Sequence, residues 1–222
     1  MFKSISIDGP AGSGKSDVAE IISKKLGFLH IDTGALYRSV AFYFSQKLID
    51  FSNETLVCKE LSNIKIDIKF DDLSQKVILN GVDISGELRK SEVSKIASKI
   101  SPYKCVREFL LPIQREFSKN HNVVMEGRDI STVVLPDANV KIFLTASVEE
   151  RAKRRFKQLE SRKIKCDYNQ ILFSIKERDC DDTNRKYSPL KVSDDAIFLD
   201  STGKTIEEVV DFLMYKIRKV IY

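Results

Sequence analysis

Apolar and polar positions along the chain switch between a period near 3.6 and a period of two, and each switch marks an element boundary. A short apolar run, Ile5 to Ile7, comes first. Val18, Ile21, Ile22 and Leu26 follow at helical spacing, which predicts a helix from about Ser16 to Lys25 stopped by Gly27. Phe28 to Ile31 reads as a strand ending at Asp32-Thr33-Gly34, and a helix from Ala35 to about Leu48 carries Leu36, Val40, Tyr43 and Phe44 on one face. From Ile64 the pattern becomes strict alternation through Ile66, Ile68 and Phe70. Asp71-Asp72 marks a turn, and Asn80-Gly81 between Val77–Leu79 and Val82–Ile84 is a strong hairpin signal. Helices are expected over Ser91–Ala97 and Val106–Phe117, separated by Ser101-Pro102, with Pro112 expected to kink or divide the second. Strands follow at Val123–Met125, Val140–Leu144 and Ala196–Leu199. Between the last two, Ser147-Val148-Glu149-Glu150 opens a helix as a capping box, and another helix ends in Ile175–Arg185. From Thr205 a last helix carries Ile206, Val209, Val210, Leu213, Ile217 and Val220 as an apolar stripe. Strands alternating with helices imply an α/β fold, a five-stranded parallel sheet with helices on both faces, plus a small inserted antiparallel β subdomain.

Composition narrows the class. The chain has 222 residues, 42% of them hydrophobic, enough for a sizeable core. No apolar run approaches twenty residues, so no membrane partner is expected, and polar residues and glycines arrive too early for a signal peptide. Cys58, Cys105, Cys166 and Cys180 lack C-x-x-C spacing and read as free thiols in a reducing, cytoplasmic location. His30 and His121 have no partner at metal-ligand spacing. The net charge of +5 fits either a basic nucleic-acid patch or an arginine-lined phosphate cleft.

The chemistry begins after the first strand. Gly9, Gly14, Lys15 and Ser16 fill the pattern G-x-x-x-x-G-K-[ST]. Glycines let backbone N–H groups converge on one anion, and the following helix adds its positive end. A plain Gly-rich turn would need neither the lysine nor the serine. Residues Gly9, Pro10, Ala11, Gly12, Ser13, Gly14, Lys15, Ser16 and Asp17 are therefore expected to bind a nucleoside triphosphate, with Lys15 on its phosphates and the Ser16 hydroxyl as a ligand of the accompanying Mg²⁺.

In a parallel sheet ligands sit at the carboxyl ends of strands. Asp32, Thr33 and Arg38 lie there, either as a helix cap or as contacts to a second substrate. Arg128 and Asp129 follow another strand at the same edge. Arg151-Ala152-Lys153-Arg154-Arg155 is a solvated or nucleic-acid-binding face, or a cationic lid. Arg178, Asp182 and Arg185 share a helical face, as a salt-bridge ladder or as site residues. Asp83-Ile84-Ser85-Gly86 matches the D-x-x-G of GTPases but sits in the insert, without an N-K-x-D motif. A kinase acting on a monophosphate holds two polyanions and needs arginines to screen them, which Arg38, Arg107, Arg128, Arg178 and Arg185 would supply beside Lys15.

Over nearly its whole length the chain resembles the bacterial cytidylate kinases among P-loop nucleoside monophosphate kinases. The carriers are Ile-Asp-Gly-Pro-Ala-Gly-Ser-Gly-Lys from Ile7, Asp-Thr-Gly-Ala-Leu-Tyr-Arg from Asp32, Gly-Val-Asp-Ile-Ser from Gly81 and Val-Arg-Glu from Val106. Gly-Arg-Asp from Gly127, Val-Lys-Ile-Phe-Leu from Val140 and Ile-Lys-Glu-Arg-Asp from Ile175 complete them. The resemblance implies transfer of the ATP γ-phosphoryl group to CMP or dCMP with Mg²⁺, by a monomer without nucleic-acid partners. It implies one P-loop kinase domain over 1–222, an acceptor subdomain at about 34–118 with the β insert at about 62–86, and a lid at about 150–168. Thr33, Arg38, Ser98, Arg107, Arg128, Asp129, Arg178, Asp182 and Arg185 would bind CMP, with Ser98 and Asp129 at the cytosine and Asp182 at the sugar. Lys15, Arg128, Arg178, Arg185 and the lid residues Arg151, Arg154 and Arg155 would act on the transferring group. Departures are Ala11 for a common Ser, Glu126 for a common Asp, and Cys180, Asp181 and Thr183 in a usually more basic run.

Overall fold

The computed structural model describes residues 2–71 and 73–221, so Asp72 of the expected turn lies outside the described residues. Strands β1 (Ser4–Asp8), β2 (Leu29–Asp32), β6 (Val123–Gly127), β7 (Val140–Thr145) and β8 (Ile197–Asp200) form one parallel sheet in the order β2-β6-β1-β7-β8. Ile5, Ile7, Val124, Ile142 and Leu144 bury one face against α1 (Lys15–Leu26) and α8 (Ile206–Ile221), which contribute Val18, Ile22, Leu213 and Ile217. Ile31, Val123 and Met125 bury the other against Ile130 and Val134, with Leu111 and Phe117 of α5 (Lys104–Asn120) packed alongside. Burial on both faces is why β6 and β7 read as apolar runs rather than as alternation.

The insert is a separate antiparallel sheet, β3 (Ile66–Asp71), β4 (Ser74–Leu79) and a two-residue β5 (Val82–Asp83). Its β4–β5 turn places Asn80 at φ 48° and Gly81 at φ 87°, the left-handed pair that a two-residue hairpin requires. Ile66, Ile68, Val77 and Leu79 join a second core with α2 (Thr33–Lys47), α3 (Glu54–Glu60), α4 (Ser91–Ile100) and α5. Gln75 of β4 accepts from the Asp32 backbone N–H at 2.7 Å, so the insert docks on the carboxyl end of β2.

Four expectations are corrected. Cys58 of α3 and Cys105 of α5 form a disulfide with Cα atoms 5.7 Å apart, while Cys166 and Cys180 are free. The bonded pair is 47 residues apart and meets only because α3 packs on α5, which spacing cannot reveal. The inference of a reducing compartment from four free thiols falls with it. Helix α5 runs unbroken through Pro112. Pro112 and Glu108, whose carbonyl loses its intrahelical partner, both lie on the exposed face, where water can take the bond. The box at Ser147 is half formed: Ser147 Oγ accepts from Glu150 N at 3.2 Å, but the Glu150 carboxylate binds Arg154. Val220 of the α8 stripe is 56% exposed. Among the described residues no helix is long and apolar enough to cross a membrane.

Candidate functional site

The loops at the carboxyl ends of β1, β2, β6 and β7 meet at one edge of the sheet, and the site is built there. Residues 9–14 arch from β1 into α1. Gly9 passes so close to β7 that a Cβ would sit 1.9 Å from the Leu144 carbonyl oxygen. Gly14, at φ 91°, sets the left-handed turn from which α1 starts. Lys15 is buried and its ammonium donates to the Pro10 carbonyl at 2.7 Å and to Ser13 Oγ at 3.4 Å. Burial, with the Arg128 cation next, pulls its pKa down to about 7. Ser16 and Asp17, by contrast, are exposed on the first turn of α1.

Helix α6 (Val148–Ser161) braces this loop from outside. Arg151, 3% exposed, donates to the Ala11 carbonyl at 3.1 Å and grips both oxygens of Asp179 at 3.0 and 2.7 Å. Arg154 bonds Glu150 at 2.9 Å and the Ser201 carbonyl at 2.7 Å, and reaches the Ser13 carbonyl at 3.4 Å. Arg155 is exposed and bonds Gln158 of its own helix at 2.5 Å, apart from the loop.

Across from the loop, α7 (Tyr168–Asn184) and the Gly127-Arg128-Asp129 turn bring arginines and aspartates together. Arg128 Nε donates to Asp182 Oδ2 at 2.8 Å, and Arg185 lies 3.5 Å from Asp182 and 3.8 Å from Asp129. Arg107 meets Asp129 at 2.5 Å, and Arg38 meets Asp32 at 2.5 Å while Asp32 also caps α2 through Ala35 N at 3.1 Å. The cap reading of Asp32 therefore holds, and the same carboxylate also pairs with Arg38. Burial would raise the Asp182 carboxyl, but Arg128 and Arg178 hold it below its ordinary value. Burial and the Arg128 charge lower Arg178 to about 10. The guanidinium atoms Arg38 Nε, Arg178 Nε and Arg185 Nη2 are buried with no hydrogen-bond partner. Three unmatched N–H groups in a cationic cluster fit an anion with many acceptor oxygens.

A cavity of about 180 Å³ opens beside the cluster, lined by Tyr37, Arg107, Gln114, Asp129, Val134 and Tyr187 among others. Arg107 stacks over the Tyr37 ring, 5.5 Å from its centre. Apolar side chains with Arg107, Asp129, Lys104 and Glu108 among the lining suit a flat ring carrying polar edges. Gln114, Val134 and Tyr187 carry no sequence signal for this role; the cavity exists only once α5 and the segment after α7 converge. Ser98 does not line it: its carbonyl accepts from the Ser101 hydroxyl at 3.1 Å, and the Ser101 carbonyl in turn holds Arg107 at 3.0 Å. The buried Thr33 hydroxyl donates to the Glu126 carbonyl at 2.7 Å. A wider groove of about 570 Å³ lies between the end of α1 and α8, lined by residues such as Lys25 and Arg218, and touches none of this machinery.

Glu126 at the end of β6 completes the edge. Its Oε2 accepts from the Ser16 hydroxyl at 2.9 Å and its Oε1 meets His30 Nε2 at 3.2 Å. A hydroxyl and a carboxylate oxygen side by side form a hard donor pair of the kind Mg²⁺ accepts, since that ion keeps most of its waters and takes few protein ligands.

Residues 5–219 match the family model described as Cytidylate kinase. A Fusobacterium nucleatum protein named cytidylate kinase is 47% identical over 216 residues, covering 97% of each chain. A Caldicellulosiruptor saccharolyticus protein of the same name is 47% identical over 217 residues, covering 98% of this chain and 96% of its own. Among solved structures, a gluconokinase from Sinorhizobium meliloti superposes with a TM-score of 0.52 at 15% identity over 98% of this chain and 92% of its own, a likeness of fold.

Proposed function

The chain belongs to the cytidylate kinase family, and from that premise we propose that it transfers the γ-phosphoryl group of ATP to CMP or dCMP, giving ADP and CDP or dCDP. The observation that carries the reading is the set of buried guanidinium nitrogens on Arg38, Arg178 and Arg185 left without a hydrogen bond, in a cluster whose Arg128 and Arg178 also act on Lys15 of the loop. The backbone N–H groups of residues 9–14 cradle the ATP phosphates, and Lys15 is drawn from Pro10 onto the transferring group. Arg38, Arg178 and Arg185 take the acceptor phosphate, with Arg128 between the two anions, beside both Lys15 and Asp182. Arg107 and Asp129 read the polar edge of the base in the cavity, and Asp182 is left near the sugar. Arg151 and Arg154 hold the loop carbonyls outward so that the N–H groups face in. Ser16 and Glu126 would hold Mg²⁺, which supplies charge neutralisation on the phosphates when bound.

Residues 34–118 form the acceptor side and 150–168 the lid of this reading, whose partners are small nucleotides and whose protein is a monomer. A cytoplasmic location follows from those substrates. The test is ADP release with ATP and Mg²⁺ against CMP, dCMP, UMP, AMP, GMP and no acceptor. Turnover concentrated on CMP and dCMP is expected. Turnover centred on another nucleotide would overturn the base-reading roles of Arg107 and Asp129.

A further inference from the structure

Strands β2 and β6 run parallel in a register that pairs Asp32 with Glu126 and His30 with Val124. The period of two puts His30 on the same face as Glu126, toward the first turn of α1. Glu126 divides its two oxygens between two partners, the Ser16 hydroxyl at 2.9 Å and the His30 ring at 3.2 Å. The pair is well inside the protein, with side-chain exposures of 15% for His30 and 5% for Glu126. A buried carboxylate must be held by donors, and a cation at Ser16 competes for one of the two. His30 is the donor that stays, because it sits on a strand behind the loop rather than on the loop.

We infer that His30 is a positioning residue for the divalent cation, fixing Glu126 so that its free oxygen and the Ser16 hydroxyl present one hard donor pair. The inference rests on the Mg²⁺ reading above and extends it to a residue outside the phosphate loop. His30 does not touch the cation; it acts through the carboxylate, as an outer hydrogen-bond partner orients a metal ligand.

The experiment uses Mn²⁺ as a paramagnetic probe. It is titrated by electron paramagnetic resonance into the full chain saturated with a non-hydrolysable β,γ-imido ATP analogue. His30→Leu is expected to weaken Mn²⁺ binding by about tenfold or more. His30→Gln, which keeps an amide N–H donor, is expected to recover most of it. Binding of the analogue in EDTA, by equilibrium dialysis, is expected to be unchanged in both variants. If His30→Leu does not fold, judged by circular dichroism, His30→Asn repeats the test with a side chain too short to reach Glu126. Equal weakening with and without cation, or no weakening at all, overturns the assignment. A wild-type nucleotide complex that holds no Mn²⁺ overturns the Mg²⁺ reading itself, and the positioning role with it.

Discussion

Lys15 is a buried side chain whose charge the fold itself disfavours. Its ammonium is buried among Arg128 and Arg178 and has a pKa of about 7, well below the 10.5 of a free lysine. The sign follows from linkage. The unfolded chain holds this proton more tightly, so the group's contribution to folding is unfavourable below pH 7 and improves as pH rises from about 7 toward 10.5. A bound triphosphate reverses the balance and restores the charge. At pH 8, therefore, ATP binding is expected to take up a proton, seen calorimetrically as heats that vary with buffer ionisation enthalpy, and affinity is expected to fall toward pH 9. Heats independent of buffer would contradict this. Lys15→Met is expected to lower kcat by about a hundredfold or more, with no fall in melting temperature because a buried cation is removed. Asp182 behaves oppositely. Its depressed carboxyl stabilises the fold above the unfolded value of 3.8, and that stability is lost as pH falls through its lower folded value. Asp182→Asn should cost about 3 kcal/mol at neutral pH, vanishing at the acid end of a pH series of urea melts, and should raise KM for dCMP.

Among the elements, α6 braces the phosphate loop. The charge run from Arg151 to Arg155 admits a solvated or nucleic-acid-binding face or a cationic lid, and two of its three arginines are tied to the loop, Asp179 and Ser201. A lysine at position 151 keeps the charge but cannot form the two-pronged grip on Asp179. Arg151→Lys is expected to raise KM for ATP several-fold while leaving KM for the acceptor unchanged; equal changes in both would show that α6 serves the whole site. The elements themselves were largely legible. Helix α4 buries Val93, Ile96, Ala97 and Ile100 as its apolar spacing predicts, and Asn80-Gly81 makes the expected turn. Pro112 does not divide α5, because local propensity counts the lost backbone bond but not that Glu108 and Pro112 both sit on the helix's exposed face.

For the whole molecule, the disulfide joins two helices, α3 and α5, of the core that packs against the inserted sheet. It ties α3 to α5 two residues before Arg107, which lines the cavity. Closing a loop of 47 residues removes denatured-state entropy worth about 4 kcal/mol in the simple chain model. Thiol titration of the unfolded, unreduced protein should find only Cys166 and Cys180, and prior reduction should lower the melting temperature by about 5–10 °C. Four titratable thiols without reductant would contradict the bond.

The phosphate loop, the order of strands and helices, and the segments that carry the arginines are legible in the sequence, because each rests on residues near one another in the chain. Backbone curvature, helical period and turn chemistry are local properties. Which of those arginines keep a buried nitrogen without a hydrogen bond, which brace the loop and which face solvent follows from the packing of distant elements. That packing also decides that Cys58 meets Cys105, that Tyr187 closes a cavity with Tyr37, and that His30 stands behind Glu126. Partners of this kind lie on different elements, and their pairing follows from strand register and helix packing rather than from spacing along the chain.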